Sequence, residues 1–541
     1  MTPRHAEDHP EATIRLWWLH PFLVAAFPVL FLFSQNINEQ LSLDPLWAPL
    51  GIALGAAAAV LLVALTAGVL LGVERARMSI VASVLIGLAL TYGHAWNLVR
   101  EALGLHRFLL VAWGALAITA IVVTLLARRS LIGRATTAVA AGAAILVVIN
   151  LVPIVGLGLR TVGAEMVSAP GGGGGAGGSG SGRDVWYLVF DRYAGSPSLE
   201  RIYGYDNSPF LDELRERGFA VAAGATANYL KTALSLASSL NMAQLDAEAL
   251  ADEATNPEDW TPVYRQLQGS HAVERFLHER DYRYLHLGLR RGATYANASA
   301  DVEILVDGTT EFSAVFADTT ILAAAESLLP PEVAVGTEDL YARQTLFQLD
   351  ELERLVDLPG RNFVFAHVLL PHPPYFFNAD GTRVTSAQAA ARTAKEAYVE
   401  QLRFANARIL ALLDRLQAGS ESTWPIVVLA ADEGPFPDRY AANELDFRWN
   451  EATDDELLQK FSILTAVLVP GTEPSELAAA GFSDAISPLN LFRVVFNAAF
   501  EADLPPLPDR AWIFTDQRHI YDFVDITDRV RAVVDAARTA P

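Results

Sequence analysis

Hydrophobic positions follow two different patterns along the chain. Before residue 160 they form long continuous segments, whereas after residue 184 they form short runs separated by segments of helical periodicity. Each long segment approaches or exceeds the roughly 20 residues that cross a bilayer, and none has the amphipathic face of a soluble bundle helix. The pattern therefore predicts a transmembrane domain of five helices over 1–160. The five segments are 16–34, 47–72, 79–97, 108–127 and 135–158.

The distribution of arginine predicts how these segments cross the membrane. Loops 74–78 and 128–134 carry five arginines, and loop 36–45 has no Lys or Arg, while the loop with Arg100 and Arg107 is ambiguous. Because cytoplasmic loops are enriched in Lys and Arg, the amino terminus is predicted to be cytoplasmic, and five spans place the rest of the chain outside. A transporter would need charged residues within the spans, and Arg100 and Glu101 lie only at an edge. We therefore expect a multi-pass protein of the plasma membrane.

A Gly/Ser-rich linker over 161–183 separates the membrane part from a globular part over 184–541. Its stretch APGGGGGAGGSGSG (169–182) has the composition of a flexible tether. A glycine-rich phosphate-binding loop is the alternative, but this stretch lacks the Lys-Ser/Thr ending and precedes a strand instead of following one.

The globular part alternates between apolar runs and helical segments. The runs 185–190, 363–370, 426–430 and 462–471 are predicted strands, and helices are predicted between and after them, as at 262–280, 388–416 and 487–500. This β–α alternation predicts an α/β fold, a doubly wound and mostly parallel sheet with helices on both faces.

Carboxylates follow two of these strands directly. Asp191 ends the first strand, and Asp432 and Glu433 follow the run 426–430. Open α/β sheets place ligand sites at the carboxyl ends of their strands, and hard divalent cations prefer oxygen ligands. A plain Asp-Glu-Gly turn is the alternative for Asp432–Gly434, but the repeated pattern favours a metal site.

Thr232 begins an apolar helix predicted over 233–240. A hydroxyl at a helix amino terminus lies among unpaired N–H groups and the positive end of the dipole, which can stabilise an alkoxide or an anion. The alternative is that Thr232 only caps the helix.

Histidines and arginines supply further candidates. His372 follows a predicted strand in a Pro-rich loop, where a functional role is plausible, whereas His367 lies within that strand and has the position of a core histidine. His286 ends another predicted strand, followed by Arg290 and Arg291. The two arginines are candidates for binding a phosphate or a glycan, with a solvated surface pair as the alternative.

Composition excludes several classes of function. The chain has no Cys, which rules out disulfides, thiolate metal sites and cysteine nucleophiles. Its formal net charge of −22 argues against binding nucleic acid, which requires clustered Lys and Arg. An anionic substrate would have to be held by a metal or by a local basic patch.

Five motifs taken together resemble a known family. They are VFDRYAG, NYLKTALSLASSLN, HVLLPHPPY, LAADEGP and ISPLNLFRVVFN, spread over most of 184–525. They resemble the sulfatase-like branch of the alkaline phosphatase superfamily, and five spans before an outward-facing domain resemble its lipoteichoic acid synthase and phosphoglycerol transferase group.

The resemblance implies roles for individual residues. Asp191 and Asp432 match carboxylates that ligate a divalent metal, and Thr232 matches the metal-bound nucleophile that attacks phosphorus. His372 resembles a histidine that contacts the substrate or leaving group, and His286 a second substrate histidine.

Glu433 departs from the usual Asp-His-Gly pattern of the family. A carboxylate there can still ligate Mn²⁺ or Mg²⁺, with a weaker preference for Zn²⁺, or it can mark a domain that has lost catalysis. A sulfatase reaction is disfavoured, because the nucleophile position is Thr in KTALS and not the Cys or Ser that becomes formylglycine.

The expected function is a metal-dependent phosphotransferase or phosphodiesterase of the cell envelope. It would move a phosphoryl-linked group, such as phosphoglycerol or phosphoethanolamine, from a membrane lipid donor to a glycan or lipid acceptor. The alternative is a catalytically degenerate protein of the same fold that binds a glycan or an envelope partner.

Overall fold

The computed structural model describes residues 17–103, 106–165, 182–289, 292–306, 310–326 and 337–539. They belong to two compact units, the first comprising Met1–Pro170 and Gly308–Leu340 and the second the remainder of the chain. The boundaries 1–160, 161–183 and 184–541 remain predictions. Most of the predicted linker lies outside the described residues.

Helices outnumber strands among the described residues. In chain order the helices are α1 (His20–Gln35), α2 (Asp44–Leu71), α3 (Arg75–Leu103), α4 (His106–Leu126), α5 (Arg129–Glu165), α6 (Ser196–Tyr203), α7 (Ser208–Glu216), α8 (Thr232–Asn241), α9 (Ala247–Glu253), α10 (Thr261–Gln268), α11 (Ala272–His278), α12 (Glu311–Asp318), α13 (Leu322–Glu326), α14 (Thr337–Leu355), α15 (Ser386–Ala391), α16 (Ala394–Leu416), α17 (Asp438–Ala442), α18 (Asp454–Phe461), α19 (Pro474–Ala479), α20 (Pro488–Phe500) and α21 (Thr527–Thr539). The strands are β1 (Val185–Phe190), β2 (Ala220–Val221), β3 (Arg283–Leu287), β4 (Val302–Glu303), β5 (Asn362–Val368), β6 (Ile426–Ala430), β7 (Thr465–Leu468), β8 (Trp512–Phe514) and β9 (Phe523–Asp525).

All five apolar segments predicted from the sequence are helical in the first unit. Four helices are long and apolar enough to cross a membrane, over Asp44–Leu71, Arg75–Val99, His106–Leu126 and Arg129–Leu159. The remaining helix, α1, is apolar but has only 16 residues. Four helices long enough to cross a membrane and one shorter apolar helix are thus found where five spans were predicted.

Helices α12 and α13 also belong to the first unit, although they lie between β4 and α14 in the sequence. Phe312 and Phe316 are buried in the same apolar cluster as Phe33 of α1. The rings of Phe33 and Phe312 meet edge to face, with centroids 5.3 Å apart. A segment from the globular half of the sequence therefore completes the core of the helical unit.

The backbone after α12 lies directly on α3. The Gly93 N–H donates to the Thr319 carbonyl at 2.9 Å, and the Ile321 N–H donates to the Ala89 carbonyl at 2.7 Å. A Cβ on Gly93 would lie 1.9 Å from the Asp318 carbonyl oxygen, far inside any van der Waals contact. Glycine is required at position 93 because only hydrogen fits beneath this backbone.

Gly93→Ala is expected to displace the segment after α12 and to lower the free energy of unfolding by about 1–3 kcal/mol, because neither rigid backbone can yield. Gly87→Ala in the same helix is the control, since its Cβ would meet Val24 at an ordinary 3.7 Å. Both variants gain the same helix propensity, so a difference in melting temperature isolates the clash. Equal melting temperatures and equal proteolysis within 310–326 would contradict this account.

The second unit contains a seven-stranded sheet in the order β2-β7-β6-β1-β5-β3-β4. The five strands from β6 to β4 are parallel to their neighbours, and β7 and β2 pair antiparallel at one edge. All six residues of β1 are buried, as expected for a central strand covered on both faces. The predicted α/β fold with a mostly parallel sheet is confirmed.

The register of the three central strands determines which side chains meet at the carboxyl edge. Val189 of β1 lies opposite His367 of β5 and Ala430 of β6. Because side chains alternate between faces, Asp191 and Asp432, two residues beyond Val189 and Ala430, lie on the face that carries His367. The fold therefore brings two carboxylates and an imidazole to one edge.

Candidate active site

Asp191, His367 and Asp432 form a buried cluster at the carboxyl ends of β1, β5 and β6. One ligand atom from each lies within 4.8 Å of the others. The His367 Nε2 is 3.5 Å from the Asp191 Oδ2. Two carboxylates and one imidazole on three adjacent strands form a site that can hold one metal ion.

The hydrogen bonding of this cluster fits a cation. Asp191 Oδ1, His367 Nε2 and Asp432 Oδ2 are buried and have no hydrogen-bond partner among the described residues. Buried polar atoms are otherwise almost always paired, so three unpaired atoms at one point fit a ligand that coordinates all of them. The other imidazole nitrogen, His367 Nδ1, lies 2.9 Å from the Thr294 hydroxyl, an outer contact that orients a ligating histidine.

The two carboxylates oppose each other electrostatically. Burial raises the pKa of Asp432 to about 7, and the charges of Asp191 and Glu433 act in the same direction. Burial also acts to raise the pKa of Asp191, but the neighbouring His372 and His367 outweigh it and hold that pKa well below its usual range. A divalent cation between the carboxylates would offset their repulsion.

Thr232 is the first residue of α8 and its hydroxyl does not cap that helix. The capping position is Lys231, which makes no side-chain cap bond. A hydrogen bond from Thr232 acts to lower the pKa of Asp432, so the hydroxyl lies beside the cluster of Asp191, His367 and Asp432. The Tyr187 hydroxyl on β1 lies 3.2 Å from Ser239 near the far end of α8, which anchors the helix on this face of the sheet.

His372 borders the same cluster from the loop after β5. It is buried, and its Nε2 is 4.0 Å from Asp191 Oδ2. The Gln401 side chain donates to its carbonyl at 2.8 Å, which fixes the loop. The structure thus brings His372 to Asp191.

Glu433 lies outside the three-residue cluster and is paired with two cations. Its Oε1 is 3.3 Å from the Arg192 Nε, and its Oε2 is 3.1 Å from the Lys460 Nζ. Lys460 is fully buried and also donates to the Gly434 carbonyl at 2.9 Å. Burial lowers the pKa of Lys460 to about 7 against the opposing effect of Glu433. The charge of Glu433 is therefore balanced within the protein.

Three cations surround the Phe436 ring next to this pair. Their charged groups lie 4.3 Å (Arg192), 4.5 Å (Lys231) and 3.4 Å (Lys460) from the ring centroid. Arg192 has a φ of +60°, a backbone conformation that L-residues adopt rarely and that occurs at functional sites. Lys231 immediately precedes Thr232, and its Nζ lies 2.8 Å from Glu444 Oε1. Three cations and two carboxylates, Glu433 and Glu444, therefore lie beside the candidate nucleophile.

The remaining predicted residues lie apart from this cluster or outside the described residues. His286 on β3 has its Nδ1 2.6 Å from Glu303, and its ring stacks on Phe365 with centroids 5.4 Å apart. Arg290 and Arg291 lie outside the described residues.

Sequence reasoning missed His367, Arg192 and Lys460. The available signal for His367 was its penultimate position in a buried strand, which parallel alignment brings level with a carboxylate at the end of the neighbouring strand. Arg192 directly follows Asp191 in the sequence. Nothing local to Lys460 distinguishes it from a surface lysine on an amphipathic helix.

Comparison with known proteins returned solved structures only, as no protein family and no curated protein matches the chain. The periplasmic domain of EptC from Escherichia coli is 12% identical, with a TM-score of 0.41, covering 64% of this chain and 93% of that one. The integral membrane lipooligosaccharide phosphoethanolamine transferase A from Neisseria meningitidis is 13% identical, with a TM-score of 0.35, and the match covers 78% of this chain and 88% of that one. The lipoteichoic acid synthase LtaP from Listeria monocytogenes is 13% identical, with a TM-score of 0.37, and the match covers 66% of this chain and 92% of that one.

Proposed function

We propose that this chain is a membrane-anchored, divalent-metal-dependent phosphotransferase or phosphodiesterase of the cell envelope. It moves a phosphoryl-linked group, such as phosphoglycerol or phosphoethanolamine, to an envelope glycan or lipid. The observation that carries the proposal is the buried convergence of Asp191, His367 and Asp432, with unpaired atoms, beside the Thr232 hydroxyl.

We assign the metal to Asp191, His367 and Asp432, with Thr232 as the reacting ligand. His367 takes the ligand role that the sequence suggested for Glu433, because Glu433 is already neutralised by Arg192 and Lys460. One imidazole and two carboxylates suit Zn²⁺ or Mn²⁺ better than Mg²⁺, which prefers oxygen ligands and water.

The metal, when bound, lowers the pKa of the coordinated hydroxyl and offsets charge on the phosphoryl oxygens. Thr232 Oγ1 gives its proton to solvent and attacks phosphorus, the bond from phosphorus to the donor's leaving oxygen breaks, and a phosphothreonine forms. His372 supplies the proton that the leaving oxygen takes up. An acceptor hydroxyl or water then attacks the same phosphorus and gives its proton to His372, and the released Thr232 oxygen takes up a proton from solvent.

Lys231 and Arg192 hold the anionic phosphodiester in this mechanism. Lys231 immediately precedes the nucleophile, and the Arg192 Nε lies 4.0 Å from Asp191 Oδ1. Cations that are already in place around developing charge stabilise it. The apolar helices of the first unit hold the enzyme in the bilayer, which favours a lipid donor through high effective concentration.

Metal binding tests this proposal directly. With purified full-length protein, a metal concentration one hundred times the Kd is expected to stabilise the fold by about 2.7 kcal/mol through mass action. Mn²⁺, Zn²⁺ and Mg²⁺ are each titrated and read as a shift in melting temperature. Asp191→Asn and Asp432→Asn are expected to lose the shift. Without metal, Asp432→Asn is expected to melt no lower than wild type, because it relieves the repulsion between the carboxylates, whereas Asp191→Asn is expected to melt lower, because it also loses the attraction of Asp191 to His372 and His367.

Asp438→Asn is the matched control, since Asp438 is an exposed carboxylate six residues after Asp432. It is expected to keep the full metal response. No shift with any of the three ions, or a shift that survives in both cluster variants, would remove the catalytic interpretation. The domain would then be a binding module that retains only the fold.

A further inference from the structure

A polar cavity lies at the arginine-rich end of the first unit. It has a volume of about 310 Å³ and forms where the turn between α2 and α3 approaches the turn between α4 and α5. The residues that give it its chemistry are Trp17, Glu74, Arg75, Arg129 and Thr136. By the distribution of arginine, this is the predicted cytoplasmic face, remote in sequence and function from the metal cluster.

The cavity has an excess of positive charge. The Arg129 Nε lies 3.3 Å from Glu74 Oε1, and both side chains are well exposed. Arg75 adds a second guanidinium, and over the part of the chain that the structure describes no ion pair engages it. Two guanidiniums and one carboxylate leave a net positive charge available to an anion.

Thr136 supplies an independent indication of a ligand. It is only 3% exposed, it lines the cavity, and its Oγ1 has no hydrogen-bond partner among the described residues. A buried hydroxyl without a partner costs stability, and a ligand oxygen in the cavity would satisfy it.

Hydrogen bonds fix the walls of the cavity. The Arg77 guanidinium donates to the Thr124 and Leu125 carbonyls at 2.9 and 3.1 Å, which ties the start of α3 to the end of α4. The Ser79 hydroxyl donates to the Trp17 carbonyl, which holds the indole at the rim. These hydrogen bonds hold the helix ends around the cavity in fixed positions, so the site is preorganised.

A second, apolar cavity lies among α2, α3 and α4. It has a volume of about 510 Å³ and is lined by aliphatic side chains of α2, α3 and α4, including Leu71, Met78 and Leu125. Met78 is two residues from Ala76, which lines the polar cavity. The polar cavity fits an anionic headgroup, and the apolar cavity fits an acyl chain. Together they match an amphiphile with an anionic head.

We propose that the polar cavity binds the phosphate of an anionic phospholipid from the adjacent leaflet, with an acyl chain in the apolar cavity. Arg75 and Arg129 pair with the phosphate, and Thr136 donates to one of its oxygens. Basic clusters where membrane helices meet the cytoplasmic face attract anionic headgroups. This site is independent of the proposed reaction.

The test compares ligands on the full-length protein in neutral detergent. Dioctanoyl phosphatidylglycerol, dioctanoyl phosphatidylcholine and inorganic phosphate are titrated separately, with bound lipid counted by native mass spectrometry. The anionic lipid is expected to bind at least about tenfold more tightly than the zwitterionic one. No preference between the lipids overturns the proposal, and so does free phosphate that displaces the anionic lipid at equal concentration.

Variants separate the cavity from general surface charge. The double variant Arg75→Gln/Arg129→Gln is expected to weaken anionic lipid binding at least about tenfold. The control is Arg128→Gln/Arg134→Gln, whose arginines lie near Arg129 in the sequence but do not line the cavity. It is expected to weaken binding less than about twofold. Equal losses in the two double variants overturn the proposal. Thr136→Val, which keeps the shape of the side chain, is expected to weaken binding about fivefold. If the first double variant does not fold, unchanged binding by Thr136→Val overturns the proposal.

Discussion

Thr232→Ala is expected to lower metal-dependent cleavage of a phosphodiester by about three orders of magnitude or more, because it removes the attacking oxygen. The hydroxyl lies beside Asp432 at the amino terminus of α8, and its hydrogen bond contributes to the pKa of that carboxyl. The measurement is release of nitrophenol from a chromogenic phosphodiester by the full-length protein. The stabilising effect of the metal is expected to remain, because Asp191, His367 and Asp432 are untouched.

Two further variants make this expectation specific. Thr232→Ser keeps a hydroxyl in place and is expected to retain part of the activity. Ser235→Ala removes a buried hydroxyl one turn further along the same helix, where it bonds to the Tyr229 carbonyl at 3.2 Å. It is expected to retain activity within about tenfold, because one local hydrogen bond has a modest net effect. Wild-type turnover by Thr232→Ala would exclude the covalent mechanism, and a phosphoryl mass adduct on the Thr232 peptide would support it.

Lys460→Met is expected to lower the free energy of unfolding by about 3–5 kcal/mol, because it leaves the buried carboxylate of Glu433 without its closest cation. Lys460 is fully buried and Glu433 is 1% exposed, so water cannot replace the lost partner. Denaturant unfolding of the full-length protein measures the loss. Glu433→Gln alone is expected to be destabilising as well, because it leaves the buried ammonium of Lys460 without its carboxylate partner.

The double variant Glu433→Gln/Lys460→Met tests whether the two charges act as a pair. It is expected to be more stable than either single variant, since no uncompensated charge remains buried. Arg201→Met is the control, because its ion pair with Asp455 is half exposed on both sides and is expected to contribute at most about 1 kcal/mol. Additive losses in the double variant, or a loss for Lys460→Met no larger than for Arg201→Met, would contradict this account.

The Lys460–Glu433 pair changes how the Asp-Glu-Gly sequence at 432–434 is interpreted, where the motif that it resembles has Asp-His-Gly. In the sequence, Glu433 is a candidate ligand or a mark of lost catalysis. In the structure the charge of Glu433 is balanced by Lys460 and Arg192, while His367 on β5, on the other side of β1, supplies an imidazole to the cluster. A donor set of two carboxylates and one nitrogen is therefore present without the histidine that usually follows the aspartate.

Local sequence pattern was sufficient for the central strands and the carboxylates after them. The predicted bounds 185–190 and 426–430 are those of β1 and β6. A strand buried on both faces is a continuous apolar run, and its end is visible where the first carboxylate appears. Asp191 and Asp432 could be placed at one sheet edge for the same reason.

Helix boundaries were predicted less accurately where a capping signal was overlooked. The helix predicted over 262–280 is divided into α10 and α11, because His271 caps the second helix by accepting from the Glu274 N–H. The helix predicted over 388–416 is divided into α15 and α16, because Thr393 and Glu396 form a capping box. The capping box of Thr393 and Glu396 is a local signal that a stricter reading of the sequence would have found, whereas histidine is not among the residues preferred at the N-cap.

The sequence by itself determined the apolar helices, the parallel sheet and the two carboxylates, since each depends on residues adjacent along the chain. Only the tertiary structure decided which residues contact one another at the candidate site. Whether His367 is a core residue or a ligand depends on its alignment with β1, and whether Glu433 binds metal depends on a lysine 27 residues later. Likewise, the burial of 310–326 among the apolar helices depends on contacts with α1, α2 and α3 that its own amphipathic pattern does not specify. Propensity and periodicity act over a few residues, whereas charge pairing and packing depend on neighbours that only the folded chain brings together.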